Sequence, residues 1–377
     1  MKRKSESETT INHLPEDVLC QIFSHIDLNS TSLVSKLFCS LSSPLLHELY
    51  LSRNSSLTYS DLQMLFNRFT GVKKIYMINC LKLDNVLMAI SNSGKQQQQQ
   101  LIEFIHMFPS LIEFDFTHLW DDNGIHKITL KLPNLQKVNI GYNIGAVTDK
   151  TLDILSSNCP KLDTVNFHWM FTPKALYTFF LNNPQLSSVH MPEFYSHSIS
   201  EVAKCMQVLQ NLSHLSLESN IVQDAVLIAL AKSRPPLKSL RLGGCDNNYT
   251  MGGLIPLLSA CPGLEELKIH LPVPNNNTHD AEMSIAVTRL PELKHIEVWY
   301  CTLVCQATLF SLVQNCPLLE TIWVGCDSKL KVKQVWDQGM ARPTKRNYCI
   351  KSILISPKDS NILLLSTLES YCPNLGK

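Results

Sequence analysis

Apolar residues return along this chain in a short pattern whose clearest copy is CPGLEELKI at 261–269. Related copies are FPSLIEFDF at 108–116, LPNLQKVNI at 132–140, CPKLDTVNF at 159–167 and NPQLSSVHM at 183–191. LQNLSHLSL at 209–217, RPPLKSLRL at 234–242, LPELKHIEV at 290–298 and CPLLETIWV at 316–324 continue the series. The first anchors are Leu111, Leu135, Leu162, Leu186, Leu212, Leu237, Leu264, Leu293 and Leu319, spaced by 24 to 29 residues. Each copy has the form L-x-x-L-x-L. Its last two anchors stand two residues apart, which predicts a short strand with one face buried. Between copies the spacing becomes three and four, as in Leu152 and Leu155, Ala225, Ile228 and Ala229, or Leu309, Leu312 and Val313. That spacing predicts a helix. The helix is expected to stop near Asn-Cys-Pro, Leu-Pro or Arg-Pro-Pro, because proline disfavours a helical residue before it.

One strand plus one helix in about 26 residues is the leucine-rich-repeat unit. A single unit cannot bury its own apolar face, so about twelve are expected to stack. The fold class is therefore α/β: a leucine-rich-repeat solenoid, with a curved parallel sheet and outer helices. Weaker copies start at Leu46, Val72 and Ile350, and CPNLGK at 372–377 opens another. The count of 57 leucines in 377 residues follows from this repeat. So do many of the 13 cysteines. Cys159, Cys261, Cys316 and Cys372 each precede a proline, and Cys80, Cys245, Cys301 and Cys326 follow a strand. Recurrence at one register places them in the interior, where a free cysteine acts as a small hydrophobe. The pattern resembles the cysteine-containing subclass of these repeats. Metal binding needs paired ligands at short spacing, and only Cys301 and Cys305 come near it.

Two segments break the rhythm. A polar insertion, SNSGKQQQQQ, occupies 91–100 and has no capacity to form a core. A basic loop, 329–347, carries six basic residues against Asp337 and is expected to be solvated or to bind a partner. The expected organisation is a tail at 1–10, a helical segment at 11–50 and repeats over 51–377.

Charge narrows the function. There are 33 basic and 32 acidic residues, and charged residues make up 17% of the chain, below the roughly 25% of ordinary domains. A net charge of +1 argues against broad attraction to nucleic acid or membrane. No apolar window of about 18 residues suggests a membrane span. The N-terminus MKRKSESETT leads into no secretory core. The protein is expected to be intracellular, cytoplasmic and/or nuclear, with reduced thiols. G-x-S-x-G, H-E-x-x-H, Walker and dinucleotide motifs do not occur, so a non-catalytic role with no cofactor is expected.

Residues 11–51 follow a different pattern. Pro15 suits a first helical position, and Glu16 and Asp17 suit the first turn. Val18, Ile22 and Ile26 form one stripe, widened by Leu19 and Phe23; Leu33, Val34, Leu37, Phe38 and Leu41 form another. Helices this short cannot bury so much apolar surface among themselves. The series Leu14-Pro15-x-x-Val18-Leu19-x-x-Ile22-Phe23, then Leu33-Val34-Ser35-Lys36 and Pro44-Leu45-Leu46, resembles an F-box. With its repeats, the chain resembles F-box proteins with leucine-rich repeats, the substrate adaptors of SCF-type ubiquitin ligases. DLNSTS at 27–32 replaces a longer and more apolar helix of that family. The resemblance implies that Leu14, Pro15, Val18, Leu19, Ile22, Phe23, Val34 and Leu37 face a Skp-type adaptor. Through that adaptor the chain would reach a cullin, and the repeats would hold a target protein for proteasomal degradation. The alternative is a helical cap on a scaffold or inhibitor protein that joins no ligase.

A binding repeat protein uses its exposed strand positions. These include Asn166, His190, Ser216, Arg241, Lys268, Glu297 and Trp323 between the last two anchors, and Glu218, His270 and Trp299 just after them. Tryptophan, tyrosine and arginine are frequent interface anchors. Arg241, Lys268, His270, Trp299, Tyr300 and Trp323 are thus expected to bind the target, the cationic group steering an acidic or phosphorylated segment.

Overall fold

The computed structural model describes residues 48–52, 74–78, 111–115, 121–140, 147–167, 171–191, 198–243, 249–270, 279–299, 306–325, 342–356 and 362–376. The tail, most of the F-box-like stretch and the insertion at 91–100 lie outside them, as does most of the basic loop. The chain divides into two compact units, Met1–Leu162 and Asp163–Lys377.

In the first unit, strands β1 (Glu48–Ser52), β2 (Lys74–Ile78), β3 (Glu113–Asp115) and β4 (Lys137–Ile140) pair in parallel and in chain order. Helices α1 (Asp122–Thr129) and α2 (Lys150–Asn158) flank β4 in sequence. Leu111, Phe114, Ile125, Ile128, Leu135, Val138, Leu152, Leu155 and Leu162 are all buried. These are the period-two strand anchors and the period-3.6 helix stripe. Asp121 caps α1 by accepting from the Gly124 N–H at 2.7 Å. The next residue, Asp122, accepts from the backbone N–H of Thr148 at 2.9 Å and the hydroxyl of Thr151 at 2.6 Å. Partial burial pushes its pKa up, but the Thr148 and Thr151 hydrogen bonds outweigh burial and hold the carboxyl below its usual range.

The second unit repeats the scheme. Its strands are β5 (Thr164–Phe167), β6 (Ser188–Met191), β7 (His214–Glu218), β8 (Ser239–Gly243), β9 (Glu266–His270), β10 (His295–Trp299), β11 (Thr321–Gly325) and β12 (Ser352–Ser356). Every neighbouring pair is parallel. Parallel strands need a crossover, and helices supply it: α3 (Pro173–Asn182), α4 (Ile199–Met206), α5 (Asp224–Ser233), α6 (Met251–Ala260), α7 (His279–Val287) and α8 (Gln306–Asn315), with α9 (Ile362–Tyr371) after β12. Val189, Leu215, Leu240, Leu267, Ile296 and Ile322 fall opposite one another and are all buried. In α5 the stripe differs from the sequence expectation. Val226, Leu227, Ala229 and Leu230 face the core, while Ala225 and Ile228 are exposed. DAVLIALAKS is apolar on most sides, so periodicity alone does not choose its face. Asp224 repeats the role of Asp122, accepting from the Thr250 N–H and hydroxyl, each at 2.7 Å. A side chain at Gly253 would stand 2.4 Å from its carboxylate and 2.8 Å from its Cα, so glycine lets α5 and α6 approach.

In three repeats the residue before the proline closes the helix. Cys159, Asn183 and Cys261 share nearly the same backbone, φ −118 to −124 and ψ 62 to 68. Asn183 thus takes the cysteine's place, its side-chain amide donating to the Phe179 carbonyl at 2.8 Å. Cys159, Cys261, Cys316 and Cys372 are buried free thiols. Burial pushes Cys159 and Cys316 up to about 12 and Cys261 and Cys372 up to about 11. The thiolate is the nucleophile, so these cysteines should resist alkylation in the native protein and react at once in denaturant. An unfolded thiol titrates near its ordinary 9.0. The buried thiols therefore contribute stability in full below pH 9, and it is lost as pH rises toward 11 to 12. Mass spectrometry after alkylation reads the first effect; fast native labelling, or disulfides among the four, would contradict the packing.

Candidate functional site

Strand alternation sends one residue in two away from the helices. In β8 to β12 the register aligns Arg241, Lys268, Glu297, Trp323 and Leu354 in one row across neighbouring strands. Two residues further along, His270, Trp299 and Gly325 form a second row. A third row, two residues earlier, holds Ser239, Glu266, His295, Thr321 and Ser352. Adjacent strands lie about 4.8 Å apart, so side chains within a row touch.

The tryptophans meet diagonally. Trp323 pairs in register with Glu297, and Trp299 with Gly325. Their ring centroids are nevertheless 3.8 Å apart, with planes at 49°. Gly325 makes this possible: a Cβ there would fall 2.3 Å from the Trp323 ring, so the indole lies over the glycine. On the other side the His270 ring is 5.7 Å from Trp299. Both indoles are half-buried, and Leu354 beside Trp323 is 40% exposed. Trp299 Nε1–H donates to Glu297 Oε1 at 2.8 Å, fixing ring and carboxylate together. Beneath the edge, the wholly buried Tyr249 donates its hydroxyl to the His270 carbonyl at 2.6 Å and secures the end of β9.

The cations of the site are already engaged. Arg241 Nε is 3.3 Å from Glu218 Oε1. Lys268 Nζ is 2.8 Å from Glu266 and 3.8 Å from Glu297. The Glu266 hydrogen bond raises the pKa of Lys268 against the opposing effect of burial. Reciprocally, the Lys268 hydrogen bond lowers that of Glu266. Around the rings, three carboxylates (Glu218, Glu266, Glu297) therefore stand against two cations. Two of the three residues expected to steer an acidic segment, Arg241 and Lys268, thus stand in ion pairs. Glu266 was the part that the two outward columns missed, although it lies two residues before Lys268 on the same face.

The structure thus brings Arg241, Lys268, His270, Trp299 and Trp323 onto one face of β8 to β11. Tyr300 lies outside the described residues, as do Leu14, Pro15, Val18, Leu19, Ile22, Phe23, Val34 and Leu37. At the end of the basic loop the N–H groups of Thr344 and Lys345 donate to Gln314 Oε1 of α8 at 2.7 and 3.1 Å. Buried Asn347 donates to the Cys316 carbonyl at 2.8 Å. Among the described residues no group of three or more His, Cys, Asp or Glu could hold a metal ion, and no helix is long and apolar enough to cross a membrane. On the helix side, an open cleft of about 310 Å³ runs between α3 and α4, lined by Pro173, Lys174, Tyr177, Glu201 and Lys204 among others.

The F-box-like family model matches residues 11–52. The chain therefore carries an F-box-like segment ahead of its leucine-rich repeats. Among curated proteins none matches the chain in sequence. Solved structures similar to it include a chain of the Rad7 and Elc1 complex in yeast, at 14% identity and TM-score 0.44, covering 84% of this chain and 86% of that one. The leucine-rich repeat-containing protein LegL7 from Legionella pneumophila is similar at 14% identity and TM-score 0.48, covering 72% and 86%. The internalin InlF from Listeria monocytogenes is similar at 11% identity and TM-score 0.40, covering 96% and 92%.

Proposed function

We propose that this chain is the substrate-recognition subunit of an SCF-type ubiquitin ligase. Its F-box-like segment binds a Skp-type adaptor and, through it, a cullin, and the repeats hold the target protein. The observation that carries this reading is the F-box-like match at 11–52 directly ahead of an array of parallel strand–helix repeats. The chain itself makes and breaks no bonds; it positions a target for ubiquitin transfer by its partners. Target binding falls to the outward face of β8 to β12. A half-buried indole pair beside an exposed leucine is the kind of surface from which interface anchors are drawn.

The test uses a photo-crosslinking amino acid placed at Leu354 on this face, or at Ile228 on the exposed helix side. A target should crosslink from position 354 only, and should accumulate in cells when residues 11–52 are deleted. Trp323→Ala should weaken its binding roughly 30-fold, equivalent to about 2 kcal/mol. Equal crosslinking at both positions, or a target level indifferent to the deletion, would remove the assignment.

A further inference from the structure

We infer that the indole pair of β10 and β11 receives an arginine side chain of the bound protein. This rests on the reading of that face as the target surface. Three observations fix the chemistry.

The first is the carboxylate at the rings. Glu297 Oε1 is held by Trp299 Nε1–H, so the group is oriented before any partner arrives. Its other oxygen is 3.8 Å from Lys268 Nζ, beyond hydrogen-bonding distance, because that ammonium sits 2.8 Å from Glu266. Among the described residues, Glu297 Oε2 therefore has only this long ion pair and accepts no hydrogen bond, with its side chain 28% exposed.

The second is the aromatic surface. Two indoles with centroids 3.8 Å apart leave no slot between them, so a ligand group must lie against their outer side. A planar guanidinium can stack there and donate to a neighbouring carboxylate in the same pose. A compact ammonium gains less from the ring and keeps more of its water.

The third is charge. An incoming phosphate or carboxylate would meet Glu297 first. Arg241 and Lys268, the cations that could receive it, would have to leave Glu218 and Glu266. A guanidinium at Glu297 Oε2 leaves the Arg241–Glu218 and Lys268–Glu266 pairs in place and competes only with the longer, 3.8 Å Lys268–Glu297 pair. The local balance of three carboxylates to two lysine and arginine cations favours one more positive charge.

The probe is a set of short capped peptides, Gly-Arg-Gly, Gly-Lys-Gly, Gly-Glu-Gly and Gly-phosphoserine-Gly. Each is titrated into the full chain carrying ¹⁵N-labelled tryptophan. The chain has five tryptophans, and Trp299→Phe and Trp323→Phe assign the two indole signals of interest. Gly-Arg-Gly should shift both, and Glu297→Gln should weaken that response roughly tenfold through loss of a charge-assisted bond. Glutamine keeps an acceptor for Trp299, so the rings stay in place. Equal response to lysine would overturn guanidinium stacking. A response to the phosphoserine or glutamate peptide instead would make the face an anion site, and would leave its role as target surface intact. No response to any peptide would overturn the inference, while the crosslinking at Leu354 decides separately whether targets bind here.

Discussion

Leu267→Ala is expected to cost about 2–5 kcal/mol of folding stability, whereas Lys268→Ala, one residue along, should cost less than about 1 kcal/mol. Leu267 is wholly buried and stands between Leu240 and Ile296 in register. Truncating it removes apolar contacts and leaves a cavity that a close-packed core refills only in part. In a stacked array each unit is stabilised chiefly by its neighbours, so the loss extends to β8 and β10. Lys268 points to the other face, its side chain is 38% exposed, and its ion pairs are screened by solvent. Urea denaturation of the two variants measures the contrast. Equal losses would mean that the period-two alternation of β9 is misassigned.

The second large effect concerns the N-terminal segment. Leu14→Ala combined with Pro15→Ala should abolish co-purification with a Skp-type adaptor while circular dichroism stays unchanged. Both residues fall within the F-box-like match. Leu14 opens the apolar series Leu14, Val18, Leu19, Ile22 and Phe23 of the sequence. A helical cap would respond in the opposite way: adaptor binding would not arise, and the double variant would lose thermal stability as buried leucines do.

The strands were legible because L-x-x-L-x-L states both the period and the buried face. Leu215, Leu240, Leu267 and Ile296 all turn inward as that spacing requires. Helix ends were legible from proline, and Cys159, Cys261 and Cys316 occupy the interior that their recurrence implied. The same position in another repeat holds Asn183, whose amide reaches the Phe179 carbonyl. A polar residue there gives no apolar signal, although its place before Pro184 marks it.

The site was legible as a set of columns but not as a set of contacts. That Trp299 and Trp323 fall on neighbouring strands follows from the repeat. That they touch depends on Gly325, whose missing side chain leaves the space over which Trp323 folds. Charge was the larger departure. Arg241 and Lys268 look like a free cationic pair in the columns that include them. Glu266 belongs to a third outward column, just before the second anchor, and it takes up Lys268. Glu218, two residues past its row, takes up Arg241 from the neighbouring strand. Which carboxylate reaches which cation is set by side-chain reach across a register, and spacing along one strand does not contain it.

Native mass spectrometry of the full chain mixed with a Skp-type adaptor and a cullin tests the central claim most directly. The expected result is a complex containing one copy of each protein, lost when Leu14→Ala and Pro15→Ala are combined and retained in Trp323→Ala. Wild-type chain that stays alone beside an intact adaptor–cullin complex would contradict it.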